Sequence, residues 1–133
     1  MSGEKDVYMD NAATTKPYRE VIDSVTNCMA NFWGNPSSLY KIGDEARNSV
    51  ADAREKIALT LGWTPGEIHF TSGGTESDNW AIKSIAEGYV AHGKHIITTA
   101  IEHKAVLKTC RWLEKRGYEV DYIEPDERGY ISP

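Results

Sequence analysis

Cysteine is scarce in this sequence. Only Cys28 and Cys110 occur among 133 residues, and they form no CxxC pair. Two such residues make no disulfide framework, which fits a reducing, cytoplasmic setting. Long apolar runs are missing as well, and none approaches the ~18 residues needed to span a membrane. The opening MSGEKDVYMD has no apolar core and is not a secretory signal. Basic clusters are also wanting: 15 Lys and Arg are scattered among 20 Asp and Glu, for a formal net charge of −5. That balance argues against a nucleic-acid partner, which calls for a clustered excess of positive charge. What remains is ordinary for one globular domain, with 40% hydrophobic and 26% charged residues.

The hydrophobic pattern alternates between helix and strand. Pro17 marks a helix start, and Tyr18, Val21, Ile22, Val25, Cys28, Met29 and Phe32 follow the spacing of one buried helical face. The WGNPSS turn at 33–38 precedes a second helical pattern from Leu39 through Ile42, Ala46, Val50, Ala53, Ile57 and Leu61. Gly62 is its expected C-terminal cap. EIHFTS at 67–72 reads as a strand, followed by a third helix from about Thr75 to His92–Gly93. HIITTA at 95–100 reads as a buried strand, 102–117 as a helix ending at Gly117, and YEVDYI at 118–123 as another strand. Strand, helix, strand, helix, strand implies an α/β fold with a largely parallel sheet and right-handed crossovers.

Between the first of these strands and the third helix lies TSGGTESDN, residues 71–79. The first N–H groups of a helix have no partner within it, and the helix dipole favours an anion beside them. Gly73 and Gly74 permit close approach, and Thr75 adds a hydroxyl. The stretch matches neither the P-loop nor the GxGxxG pattern. The residues alone leave two readings open: a phosphate cradle, or an ordinary glycine-rich turn whose first-turn acids Glu76 and Asp78 suit the dipole.

Four segments occur in order: YMDNAATT (8–15), GNPSSLYKIG (34–43), FTSGGTESDN (70–79) and ITTAIEHKAV (97–106). Together they resemble the N-terminal part of the NifS/IscS-type cysteine desulfurases, pyridoxal-phosphate enzymes of the class V aminotransferase fold. The resemblance runs from Val7 to Pro133. It implies an N-terminal segment, residues 1–16, bordering the active site, and the first part of the cofactor-binding large domain, residues 17–133. It further implies pyridoxal 5'-phosphate as cofactor, L-cysteine as substrate, a homodimer, a sulfur-acceptor protein in pathways such as iron–sulfur cluster assembly, and no metal.

Residue by residue, the resemblance assigns the cofactor phosphate to the Gly74 backbone and to Thr75. The family often has Ala at Gly74, a change that backbone donation survives. His103 matches the histidine that stacks on the pyridine ring and helps move protons. An imidazole, titrating at about pH 6.5, suits that catalytic role; without the resemblance, His103 reads as a residue that caps or packs a helix start. Ala12, Ala13 and Asn35 are assigned to the substrate neighbourhood. Tyr40 stands where many members have His. Cys28 and Cys110 match no catalytic position and read as small buried hydrophobes.

The lysine that carries the cofactor as a Schiff base, the aspartate at the pyridine nitrogen and the nucleophilic cysteine lie further along the family's chains. None of the nine lysines here sits in such a motif. The expectation is about the first third of a desulfurase, inactive alone, with a C-terminal chain missing. The alternatives are a part of a related class V aminotransferase or selenocysteine lyase, or a non-catalytic remnant that binds phosphate or a partner.

Overall fold

The computed structural model describes residues 7–132; the first six residues of the expected N-terminal segment and Pro133 lie outside them. The chain forms two compact units, Met1–Ile68 and His69–Pro133.

The first unit holds two helices, α1 (Arg19–Asn31) and α2 (Lys41–Leu61). Helix α1 begins two residues after Pro17, with Tyr18 as its N-cap. Its apolar face follows the expected period, yet no residue of α1 is buried. Val25 is 52% and Met29 75% exposed, and Cys28 is only partly covered. The expectation of a buried face, Cys28 included, is therefore corrected. Beside Cys28 lies a groove of about 560 Å³, lined by Ser24 and Cys28 from α1 and by Glu45, Asn48 and Asp52 from α2. Periodicity makes a face apolar; only a close neighbour buries it.

Helix α2 ends as expected. Gly62 takes a left-handed φ of 71°, and its N–H returns to Ala58 and Leu59. The start of α2 is held against the preceding turn: a Cβ on buried Gly43 would lie 2.7 Å from the Ser38 carbonyl oxygen and 2.8 Å from that of Asn35. Glycine is thus required there by crowding. The expected strand at 67–72 is absent. Pro65–Glu67 instead forms a 3₁₀ turn, closed by a capping box in which Glu67 accepts from the Thr64 N–H (2.7 Å) and hydroxyl (2.8 Å). The following residues 68–71 take no strand conformation, and a strand exists only through its pairing.

The second unit alternates as expected: α3 (Gly74–Gly88), β1 (His95–Thr99), α4 (Lys104–Glu114) and β2 (Glu119–Ile123). The two strands pair in parallel, His95 opposite Glu119 and Thr99 opposite Ile123. The crossover between them is α4, as a parallel connection requires. The strand at 95–100, expected to be buried, departs from that expectation, because Ile97 is 63% exposed. Unit two's core is the inner face of α4, formed by Ala105, Thr109, Cys110 and Leu113, at most 6% exposed. Thr109 is satisfied within the helix by donating to the Ala105 carbonyl at 2.8 Å. Helix α3 packs on α4. Its far end is tied down by the Tyr118 hydroxyl, which donates to the Ala86 carbonyl at 2.7 Å.

Candidate functional site

The start of α3 is built by its own side chains. The first helical bonds run from Glu76 and Ser77 to the Gly73 carbonyl, at 3.1 and 3.2 Å. The N–H groups of Gly74 and Thr75 precede them and donate to no described residue. The Thr75 hydroxyl is likewise without a described partner. A Cβ on Gly73 or Gly74 would meet nothing within 4 Å. Neither glycine is demanded by packing, in contrast to Gly43, and the space over the turn is open.

Two links brace that turn. The Glu76 carboxylate reaches back to accept from the Ser72 N–H (2.7 Å) and the Ser72 hydroxyl (2.6 Å). These bonds, that from the hydroxyl foremost, hold its carboxyl below the usual 4.5. The hydroxyls of Thr71 and Ser77 meet at 2.7 Å. The helix therefore begins two residues after Ser72, at Gly74, one residue before the expected Thr75.

His103 caps α4. Its Nδ1 accepts from the Ala105 N–H at 3.1 Å. An accepting Nδ1 places the ring proton of the neutral imidazole on Nε2. One nitrogen is thereby spent on structure, and Nε2 remains as the atom able to meet a ligand. Gly74, Thr75 and His103 belong to one unit, at the N-termini of two helices that pack together.

Ala12, Ala13 and Asn35 belong to the other unit. The two alanines lie in a turn closed by the Asp10 carbonyl, which accepts from the Ala13 N–H at 3.1 Å. Asn35 closes its own turn, its side-chain oxygen accepting from the Ser37 N–H at 2.9 Å. Tyr40 caps α2 and is 63% exposed. Cys110 is 1% exposed, as expected. Burial, then the nearby Glu114 and Glu102 carboxylates, push its thiol pKa up, which keeps it protonated and unreactive.

The family model for class V aminotransferases matches residues 7–133. The chain belongs to that family. Among relatives of this class V chain, a cysteine desulfurase IscS from Methanosarcina thermophila is 54% identical over 129 residues, 97% of this chain and 32% of that relative. A solved NifS-like protein superposes with a TM-score of 0.86 at 44% identity, over 95% of this chain and 35% of the other. A structure described as SspA in complex with cysteine gives 0.82 at 42% identity, over 94% and 36%. The chain thus spans about a third of the length of the relatives it matches.

From the sequence of this class V chain, the glycine turn and His103 could be singled out as candidates. The Ser72–Glu76 link could not, because Glu76 reads equally as a plain first-turn acid. A serine four residues before a first-turn glutamate was the available signal.

Proposed function

We propose that this chain is the cofactor-cradling part of a pyridoxal-phosphate-dependent cysteine desulfurase. The full-length reaction would convert L-cysteine to L-alanine and leave the sulfur as a persulfide on an enzyme cysteine, for transfer to an acceptor protein. One observation carries the reading: the open start of α3, with two N–H donors and a hydroxyl unengaged and no Cβ in the way. The names of the relatives set the substrate class.

The residues fit the cofactor. The N–H groups of Gly74 and Thr75 and the Thr75 hydroxyl would hold the phosphate, favoured by the helix dipole. Ser72 and Glu76 keep that turn in shape before any ligand arrives. His103 would face the ring, its orientation set by the Nδ1 cap, and hold or move a proton at Nε2. When bound, pyridoxal phosphate supplies the electron sink for chemistry at the substrate Cα. Ala12, Ala13 and Asn35 would border the substrate, residues 1–16 forming the bordering segment and 17–133 the start of the large domain. The full-length protein would act as a homodimer in the cytoplasm and serve pathways such as iron–sulfur cluster assembly.

Equilibrium dialysis of this chain against pyridoxal phosphate tests the reading. Losing a hydrogen bond to a charged group costs roughly 1.5–3 kcal/mol, so Thr75→Ala should weaken binding about tenfold or more. Unchanged binding in Thr75→Ala would overturn the cradle. The chain alone should release no alanine from cysteine, and alanine above background would overturn that part.

A further inference from the structure

Helix α4 has two faces of opposite character. One is the core face already described. On the other, Lys104, Lys108, Arg111 and Lys115 recur at intervals of four, three and four residues, all exposed. At 100° per residue those intervals form a single stripe about 16 Å long. None of the four side chains donates a hydrogen bond or forms an ion pair among the described residues. In the other unit, three helical cations, Arg19, Lys41 and Arg47, pair with Asp23, Glu45 and Asp44, while Lys56 stands alone rather than in a row.

Local stability accounts for only the C-terminal half of the stripe, where Arg111 and Lys115 suit the helix dipole. Each member has a like-charged neighbour three or four residues away, which opposes helix formation. Lys104 is also the first helical residue, where the dipole disfavours a cation. The stripe continues onto a fixed aromatic site beside it. The Arg116 guanidinium lies 3.3 Å from the centre of the Trp112 ring, and Lys83 of α3 lies 4.6 Å from it. Stacked cations are held in place at little further entropic cost, and Trp and Arg are the residue types that dominate binding hot spots. A row of four charges is also incompatible with burial in an apolar core.

We propose that this face of α4 is a docking surface for an acidic protein segment. Charge complementarity names the occupant: positive charge is concentrated here on a chain of net charge −5. A protein segment is favoured over nucleic acid because the cations form one short row on a single helix. A row of four cations about 16 Å long matches one short acidic segment, whereas a phosphate backbone calls for a larger clustered excess of Lys and Arg. The inference stands on α4, its C-terminal cap and the adjoining Lys83, and is independent of the cofactor cradle.

Fluorescence anisotropy of the whole chain with a fluorescein-labelled Glu-rich peptide tests it. Wild type should bind, more weakly as salt rises toward ~0.15 M. Lys108→Glu with Arg111→Glu should weaken binding about tenfold or more, whereas Lys16→Glu with Lys56→Glu, an equal change in net charge, should stay within about twofold. The neutral pair Lys108→Gln with Arg111→Gln should lose an intermediate amount, with an unchanged circular dichroism spectrum. Equal losses in the two charge-reversed variants, or no binding by wild type at low salt, would overturn the proposal. So would tighter, stripe-dependent binding of duplex DNA at the same salt, or a salt-sensitive self-association that the Lys108/Arg111 variants abolish.

Discussion

The two units of this chain divide their apolar residues in opposite ways. In the second, α4 buries Ala105, Cys110 and Leu113 behind two paired strands and a packed helix. In the first, Ala46, Ala58 and Ile68 are the buried hydrophobic residues, and α1 contributes none. Both units contain amphipathic helices of good period, so amphipathicity is not what separates them. The difference lies in whether a neighbour stands within van der Waals reach of the apolar stripe.

The sharpest way to break this comparison is to delete side chains. Leu113 is 0% exposed, and Leu113→Ala should cost about 2–5 kcal/mol. Val25→Ala in α1 should cost no more than about 0.5 kcal/mol, since its side chain is largely in water. Urea denaturation followed by circular dichroism measures both, and equal losses would dissolve the distinction between the units.

Glycine gives a second, smaller contrast. Gly43→Ala sets a methyl against the Ser38 and Asn35 carbonyl oxygens and should destabilise by about 1–3 kcal/mol, despite alanine's better helix propensity. Gly74→Ala meets nothing and should be neutral or slightly stabilising, with pyridoxal phosphate binding unchanged within about twofold. Thermal melts and dialysis report the two quantities separately.

The smallest effect concerns pH and touches both units alike. Glu67 and Glu76 each have a carboxyl pKa lowered below 4.5, the first chiefly by the Thr64 N–H and the second chiefly by the Ser72 hydroxyl. A lowered folded-state pKa contributes stability above the ordinary value, and that contribution fades as pH falls through the lowered one. Acid titration should therefore show a modest loss below about pH 4.5, and Glu76→Gln should remove part of its pH dependence. A profile unchanged by that substitution would mean that the Ser72–Glu76 link contributes nothing to the turn.

Much of this was legible beforehand, and the failures have identifiable causes. Gly62 was read correctly because a helix C-cap needs a left-handed residue, a local requirement. Likewise α4 and its flanking strands were read correctly, because periods of 3.6 and 2 follow one another with little ambiguity. The strand at 67–72 failed because pairing is not local, whereas the Thr64–Glu67 capping box is. The covered face of α1 failed for a similar reason. At the candidate site, Gly74, Thr75 and His103 were proposed from four ordered motifs, and the capping role of His103, which the structure shows, was one of its two readings. The basic stripe escaped because charge was sought in contiguous runs, while Lys104, Lys108, Arg111 and Lys115 are neighbours only on a helix.

The register of the second unit has a consequence for how the chain folds. His95 lies opposite Glu119, a separation of 119 − 95 = 24 residues. Parallel pairing usually suffers kinetically from long loop closure, but here the closing segment is short and already helical. A strand, its crossover and its partner strand can therefore come together from within one continuous stretch of chain. On a ribosome, that piece could assemble as soon as residue 123 clears the exit.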